Sequence, residues 1–202
     1  MSSLTWLLAT HNQGKLRELR RVMAEYPIKI VCLDDLGIED ESPETGKTFV
    51  ENALQKAMFY YKKAGGMPVL ADDSGLEVDA LNGAPGIHSA RFGGFPTHAE
   101  KCAYLLGLLG DVDADYRTAR FRCAAVYYDG TRSLDVQGSL EGYIGTQPIG
   151  DLGFGYDPIF HPELDGLSLG QIPMEEKNKI SHRGKAFRHL VENLLSAGVL
   201  GK

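Results

Sequence analysis

The sequence is poor in cysteine and has no long apolar run. Its three cysteines, Cys32, Cys102 and Cys123, are widely spaced and odd in number, which argues against a disulfide framework or a zinc site and favours small core residues. No apolar run approaches the roughly 18 residues of a membrane span, so we predict no membrane partner. The opening Met-Ser-Ser-Leu-Thr-Trp lacks the basic and apolar segments of a signal peptide, so we expect a cytoplasmic protein.

Positive charge is also scarce. Lysine and arginine total 21 against 27 acidic residues, a net charge of −6. We therefore predict no nucleic-acid partner, and an anionic substrate must be met by a local cluster of positive charge. The length of 202 residues suits one substantial domain rather than two large ones. We expect a single domain over residues 1–202.

One stretch concentrates chemistry, namely Val69-Leu-Ala-Asp-Asp-Ser-Gly-Leu-Glu-Val78. The apolar start predicts a buried strand that ends in a turn at Asp72, Asp73 and Ser74, the place where open α/β sheets bind ligands. Two adjacent carboxylates repel each other unless a cation or hydrogen-bond donors compensate, so a hard metal ion is one interpretation. A solvated turn is the other, since Asp, Ser and Gly favour turns. The stretch alone leaves both open.

At the start of the chain, a predicted strand and the helix that follows it are joined by a polar turn. Leu4–Ala9 has the length of a strand, and the apolar residues after Lys15 recur at helical spacing. Thr10, Asn12 and Lys15 then lie at a helix start, where free backbone N–H groups favour phosphate. An ordinary helix cap with a solvated lysine remains the alternative.

The remaining elements predict a mixed sheet. Thr48-x-x-Glu51 and Thr97-x-x-Glu100 are capping-box signatures of two helices. Asp129-Gly130 predicts a hairpin, which makes a purely parallel sheet improbable. Lys56 falls on a polar face of the first of these helices, where a surface lysine is the simplest interpretation.

Two further segments have the composition of a nucleoside site. Gly153-Phe-Gly-Tyr-Asp-Pro158 places aromatics among glycines, which allows a ring face to stack on a base. The run 177–185 is basic and precedes a terminal helix, and its Arg183 carries a fork of donors suited to phosphate or a base edge. An aromatic turn packed on the core and a solvated helix start are the alternatives.

Taken together, these motifs make the sequence resemble the inosine triphosphate pyrophosphatase family, also called Ham1-like or XTP/dITP diphosphatases. The resemblance spans essentially the whole chain. The motifs that carry it are Ala9-Thr-His-Asn-Gln-Gly-Lys15, Glu44-Thr-Gly46, Glu51-Asn-Ala53, Ala71-Asp-Asp-Ser-Gly75, Gly83-Ala-Pro-Gly86, Gly153-Phe-Gly-Tyr-Asp-Pro158 and Ser181-His-Arg-Gly184. One departure is Leu152-Gly153, where the family pattern has two glycines.

The resemblance implies an elongated two-lobed α/β fold, with a central mixed sheet flanked by helices and an active-site cleft between the lobes. It also implies a homodimer, and an activity that depends on Mg²⁺. The implied reaction is hydrolysis of ITP, dITP and XTP to the monophosphate and pyrophosphate, which keeps deaminated purines out of DNA and RNA.

Residue roles carry over from the same resemblance. Asp73, Lys15 and Lys56 would be catalytic, with Asp73 as the general base, and Glu44 and Asp73 would bind the metal. Arg91 is an additional phosphate contact. The implied substrate-binding residues are Thr10, His11, Asn12, Gln13, Gly14, Lys15, Ser74, Phe154, Gly155, Tyr156, Asp157, Lys177, His182 and Arg183.

Two other functions fit the same residues less well. One is a noncatalytic nucleotide sensor, although binding alone has little use for a base such as Asp73 beside a phosphate. The other is a phosphatase that releases orthophosphate. The products formed from ITP distinguish all three functions.

Overall fold

The computed structural model describes residues 4–163 and 166–199. The strands in these ranges are β1 (Leu4–Leu8), β2 (Ile28–Cys32), β3 (Val69–Val78), β4 (Thr118–Tyr128), β5 (Ser133–Ile144) and β6 (Phe160–His161). The α-helices are α1 (Gln13–Met23), α2 (Phe49–Lys63), α3 (His98–Leu109), α4 (Met174–Ile180) and α5 (His182–Ser196).

The strands form one mixed sheet in the order β2-β1-β3-β4-β5-β6. Strand β1 is parallel to both β2 and β3, whereas β5 and β6 are antiparallel. The predicted hairpin is confirmed, because β4 and β5 are neighbours in the sheet and only residues 129–132 join them. The predicted class, a mixed α/β sheet flanked by helices, is thus confirmed. The elongated shape and the cleft stay predictions.

The chain divides into two compact units. The first contains residues 4–73, 123–138 and 183–199, and the second contains residues 74–122, 139–163 and 166–182. Each unit has its own apolar core. In the first, Leu16 and Leu19 of α1 and Phe187 and Leu190 of α5 pack with β1, because their helical spacing places them on one face. The assignment of one domain to the whole chain stays a prediction.

The core of the second unit is built from strand and helix residues of the middle of the chain. Leu76, Leu105 and Phe160 are completely buried in it. The Thr97 capping box that begins α3 is present as predicted, with both reciprocal hydrogen bonds. Short-range capping of this kind sets where the helix begins and therefore which of its residues face the core.

The structure corrects the prediction for the central strand. Strand β3 does not end at Asp72 but continues to Val78. Leu76 and Val78 are fully buried, and the burial of these apolar side chains outweighs the local turn preference of Asp, Ser and Gly. The two carboxylates therefore lie within a strand.

Two apolar side chains on the helices, Met58 of α2 and Leu195 of α5, are 40% and 42% exposed. The cysteine prediction holds, since Cys32, Cys102 and Cys123 are buried free thiols. No α-helix within residues 4–163 and 166–199 is long and apolar enough to cross a membrane.

Candidate active site

Asp72 and Asp73 have different partners although they are adjacent. Successive side chains of a strand point to opposite faces, so β3 presents the two carboxylates to different surroundings. Asp72 is 1% exposed, and its Oδ2 lies 2.8 Å from Lys15 Nζ and 3.4 Å from Arg183 Nε. Asp73 Oδ2 accepts a 3.0 Å hydrogen bond from Asn52 Nδ2. The pair that first suggested a metal site is thus held by cations on one face and by an amide on the other.

Helix α1 delivers Lys15 to Asp72. Asn12 caps the helix, since its Oδ1 accepts a 3.0 Å hydrogen bond from Lys15 N. Asn12 N in turn donates to Thr10 Oγ1 at 3.1 Å. The helix begins at Gln13, so Lys15 belongs to its first turn. A helix N-terminus with a lysine beside it suits an anion such as phosphate.

Helix α2 delivers Lys56, which is not the surface residue that its polar helix face suggests. Lys56 Nζ donates to the backbone oxygen of Asp72 at 3.0 Å and forms an ion pair with Glu44 Oε1 at 2.8 Å. Burial lowers the pKa of Lys56, but the charges of Asp72, Glu44 and Asp73 outweigh burial and raise the pKa above its ordinary value. Lys56 is therefore a cation that joins the loop carrying Glu44 to β3.

The neighbouring aspartates have opposite pKa shifts. Burial raises the pKa of Asp72, but the charges of Lys15, Arg183 and Lys56 outweigh it and hold the pKa well below the ordinary value. At Asp73, by contrast, burial dominates. The charges of Lys15 and Lys56 and the hydrogen bond from Asn52 offset it only in part, so the pKa of Asp73 is raised. Asp72 is thus a permanent anion that holds cations, while Asp73 holds a proton more readily. A general base profits from a raised pKa.

Glu18 is a member of this cluster that the sequence did not indicate. Although a charged residue of an amphipathic helix is expected on its polar face, Glu18 is 2% exposed and forms an ion pair with Arg183. The guanidinium of Arg183, 3% exposed, thus lies between Glu18 and Asp72 in the first unit. The pKa of Arg183 is lowered by burial but raised more by these two carboxylates. Base recognition by Arg183 stays a prediction.

In the second unit, Asp157 organises the segment Gly153–Pro158, called the aromatic loop below. Its Oδ2 accepts a 2.7 Å hydrogen bond from Phe154 N and lies 2.5 Å from Lys177 Nζ. The same Nζ lies 5.1 Å from the centroid of the Phe154 ring. Gly153 has a φ of +77°, and a side chain there would collide with the Asp157 carboxylate. The departure from two glycines leaves this essential glycine in place.

The rest of the aromatic loop is held by buried contacts. Tyr156, 5% exposed, donates its hydroxyl to Ser89 O at 3.0 Å. His182 stacks on Phe121 with ring centroids 4.7 Å apart and an interplanar angle of 9°. Cys102 Sγ lies 3.5 Å from Gly155 O. The loop therefore presents Phe154, which is only partly buried, on a rigid base.

Several predicted site residues bond to neighbouring loops. His11 Nε2 lies 3.2 Å from Asp40 O, and Gln13 Nε2 donates to Asp34 Oδ2 at 3.4 Å. Gly14 is buried in α1, and Ser74 is partly buried within β3. Arg91 Nη2 lies 3.1 Å from His88 Nδ1. Their roles in substrate binding stay predictions.

Glu44 and Asp73, the residues expected to hold a metal, suit a cation that takes most of its ligands from substrate phosphates and water. Within the described ranges, no group of three or more His, Cys, Asp or Glu residues could enclose an ion. Glu44 and Asp73 interact, because the charge of Glu44 contributes to the raised pKa of Asp73. Mg²⁺ binds through one or two carboxylates, with substrate phosphates and water completing its octahedron. The donor set is therefore suited to Mg²⁺ with a nucleotide rather than to an all-protein cage.

Comparison with known proteins identifies relatives over nearly the whole chain. Residues 6–193 match the model of the Ham1 family. The chain is 47% identical to the dITP/XTP pyrophosphatase of Xanthomonas axonopodis pv. citri over 192 residues, which cover 93% of this chain and 96% of that protein. It is 46% identical to the dITP/XTP pyrophosphatase of Dictyoglomus thermophilum over 187 residues, 91% of each chain. The solved HAM1 protein from Coxiella burnetii superposes with a TM-score of 0.83 at 39% identity, covering 96% of this chain and 99% of the other.

Proposed function

Since this chain belongs to the Ham1 family, we propose that it hydrolyses dITP, XTP and ITP to the nucleoside monophosphate and pyrophosphate. The reaction removes deaminated purine nucleotides from the pool that supplies DNA and RNA. The observation that carries the proposal is the different setting of two adjacent aspartates: Asp72 pairs with Lys15 and Arg183, whereas Asp73 accepts a hydrogen bond from the amide of Asn52. A sensor that only binds a nucleotide has no need for a second carboxylate beside the residues that would hold the phosphates.

In this mechanism Asp73 is the general base. It accepts a proton from the water that attacks the α-phosphorus, and pyrophosphate leaves. Lys15 and Lys56 offset the negative charge that develops on the phosphate oxygens, which is the main task of a protein in such a reaction. Both lysines are held beside Asp72, by 2.8 Å and 3.0 Å contacts. Their charges are therefore in place before a nucleotide arrives, and Thr10 and Asn12 bind the phosphates at the start of α1.

A divalent cation completes the phosphate site, and Mg²⁺ is the ion whose ligand preference fits best. Glu44 and Asp73 would hold it. When bound, the ion supplies further compensation of charge on the phosphate oxygens. Lys56 is the ion-pair partner of Glu44 at 2.8 Å, so this lysine orients one of the two cation ligands.

The base is recognised by the aromatic loop and the residues beside it. The ring of Phe154 offers a stacking surface, which Asp157 supports through the Phe154 backbone. Lys177 and His182 carry donors that suit the 6-oxo group shared by hypoxanthine and xanthine. Arg183 is a further candidate for this contact. Adenine has a 6-amino donor in that position, and each donor left unpaired would disfavour it by about 1–3 kcal/mol.

The products identify the reaction. The purified protein is incubated with dITP and Mg²⁺, and pyrophosphate, orthophosphate and dIMP are quantified. We expect equal amounts of dIMP and pyrophosphate, with ATP a far poorer substrate than ITP. Orthophosphate as the first product would establish a phosphatase, and nucleotide binding without turnover would establish a sensor.

The quaternary structure is a separate part of the proposal. The family resemblance implies a homodimer in the cytoplasm. Light scattering at micromolar concentration measures this directly, and a mass near twice the 22.1 kDa of the chain is the expected result. A monomer would contradict the dimer without affecting the proposed reaction.

A further inference from the structure

Asn52 is a buried polar residue near the start of α2. It is 1% exposed, and it shares the inward face of the helix with Phe49, Ala53 and Ala57. Burying an amide is unfavourable unless its donor and acceptor are both hydrogen-bonded. The partners of this amide therefore explain why the position is not apolar.

The two ends of the amide bond to two different segments. Asn52 Nδ2 donates to Asp73 Oδ2 at 3.0 Å, and Asn52 Oδ1 accepts a hydrogen bond from Gly46 N at 2.8 Å. Gly46 N can only donate and an ionised Asp73 can only accept, so chemistry defines the orientation of the amide. Gly46 is two residues from Glu44. A single side chain thus connects the Asp73 carboxylate with the loop that carries Glu44.

Neighbouring contacts reinforce this connection. Lys56, one helical turn after Asn52, bonds to Glu44 and to the Asp72 backbone. Gln55 Oε1 accepts a 3.1 Å hydrogen bond from Thr45 N, and Gln55 Nε2 donates to Thr45 Oγ1 at 3.0 Å. Three residues of one helix therefore clamp three consecutive loop positions, and only Asn52 also reaches the Asp73 side chain among these contacts.

The loop is built to approach Asn52 closely. A Cβ placed on Gly46 would lie 2.7 Å from Asn52 Oδ1 and 2.7 Å from Glu51 Cβ. Real side chains do not approach that closely, so a residue larger than glycine would push the loop away from α2. The position of Glu44 relative to Asp73 thus depends on an Asn and a Gly that fit each other.

We propose that Asn52 is a positioning residue that sets the geometry of the Glu44 and Asp73 carboxylates for a divalent cation and for the attacking water. This inference rests on the proposed function for the roles of Glu44 and Asp73. Asn52 itself does not touch the nucleotide. It holds the rotation of the Asp73 carboxylate with its amide N–H and holds the Glu44 loop with its amide oxygen.

The test replaces the amide by an apolar group of similar size. Asn52→Leu removes both hydrogen bonds, and the matched control is Asn193→Leu, the same change at an exposed position of α5. Binding of Mn²⁺ alone to the nucleotide-free protein is measured by electron paramagnetic resonance. We expect the Kd of Asn52→Leu to rise by about 10- to 100-fold, the range for lost partners of metal ligands. The control should bind as the wild type does.

Kinetics with dITP supply the second readout. Because Asn52 orients the reacting groups without contacting substrate, kcat should fall by about 10- to 100-fold while KM changes by less than about threefold. A raised KM with unchanged kcat would show that Asn52 binds substrate and would overturn the proposal. An unchanged Kd for Mn²⁺ in a folded Asn52→Leu protein would overturn it as well.

Gly46→Ala tests the same contact from the other side and keeps the proposal testable if Asn52→Leu does not fold. It should weaken Mn²⁺ binding although it removes no polar side chain. Normal Mn²⁺ binding by a folded Gly46→Ala would contradict the proposal. Failure of the proposed function is distinguishable, since a wild type that binds Mn²⁺ but releases no pyrophosphate refutes only the reaction. A wild type that binds no Mn²⁺ refutes the inference.

Discussion

Replacing each of the adjacent aspartates by asparagine should separate stability from catalysis. Asp72 is ionised in the folded protein because Lys15 and Arg183 surround it. Asp72→Asn removes this carboxylate from Lys15 and Arg183, although Glu18 still pairs with Arg183. Breaking a buried ion pair in this way costs about 3–5 kcal/mol. At about 2–4 °C per kcal/mol for a chain of this size, we expect Tm to fall by about 6–20 °C.

Asp73→Asn should behave in the opposite way. The pKa of Asp73 is raised even though the hydrogen bond from Asn52 lowers it. The negative charge of Asp73 is therefore less favourable in the folded protein than in water. A neutral side chain of the same shape relieves this penalty, and Tm should stay the same or rise. Catalysis should fail, because loss of a general base lowers kcat by about 10²- to 10⁴-fold, equivalent to about 3–5 kcal/mol of transition-state stabilisation.

The pH dependence of stability provides an internal check. The folded-state pKa of Asp72 lies below its unfolded value, so its contribution is present in full above the unfolded pKa. The Tm difference between the wild type and Asp72→Asn should therefore be constant near neutral pH and shrink as the pH falls below about 4. For Asp73→Asn the sign is opposite: the raised pKa of Asp73 makes its charge unfavourable near neutral pH, so any Tm advantage of this variant should disappear as the wild-type carboxylate is protonated.

Differential scanning calorimetry and pyrophosphate release from dITP measure both properties on the same preparations. Circular dichroism confirms that each variant is folded at the assay temperature. The reasoning is refuted if Asp73→Asn keeps turnover within about tenfold of the wild type. It is also refuted if Asp73→Asn loses more stability than Asp72→Asn.

Three further results follow from the same contacts. Lys56→Ala should lower kcat/KM for dITP by about ten- to a hundredfold through loss of a charge-assisted contact. The control is Lys62→Ala, which changes an exposed lysine of the same helix and should leave kcat/KM as it is. Equal kinetics of the two variants would remove Lys56 from the site. Exhaustive chelation should abolish turnover, and Mg²⁺ should restore it better than Ca²⁺, which prefers more and longer bonds; full activity in chelator would refute the cation. Iodoacetamide at about pH 8 should leave the native thiols unmodified, because burial raises the pKa of Cys102 to about 11 and also raises the pKa of Cys123. All three cysteines should react in urea. Rapid labelling of the folded protein would contradict their burial.

Local features could be predicted because local forces produce them. The Asn12 cap and the Thr97 capping box each depend on residues within one turn of one another, so their hydrogen bonds form wherever the chain goes next. The strand at Leu4–Leu8 could be predicted from its apolar run, although its backbone hydrogen bonds need β2 and β3. The motifs that carry the family resemblance are similarly short, and they contain Lys15, Asp72 and Asp73 as well as the loop 153–158.

The turn expected at Asp72 was wrong for the same reason. Asp, Ser and Gly favour a turn through local hydrogen bonds alone. Burial of Leu76 and Val78 is a property of the folded second unit. It extends β3 through the two carboxylates and thereby sends Asp72 and Asp73 to opposite faces.

Only the tertiary structure decided which polar residues belong to the site. Glu18, Asn52 and Lys56 all occupy helix positions that sequence periodicity assigns to solvent or leaves without a role. Glu18 meets Arg183 across 165 positions of the chain, and Asn52 meets Asp73 across 21. A polar side chain is buried only if a distant partner satisfies it, and periodicity contains no information about distant partners. The sequence by itself thus determined the start of β1, the caps of α1 and α3 and the chemical inventory, whereas long-range packing determined the length of β3 and which members of that inventory act together.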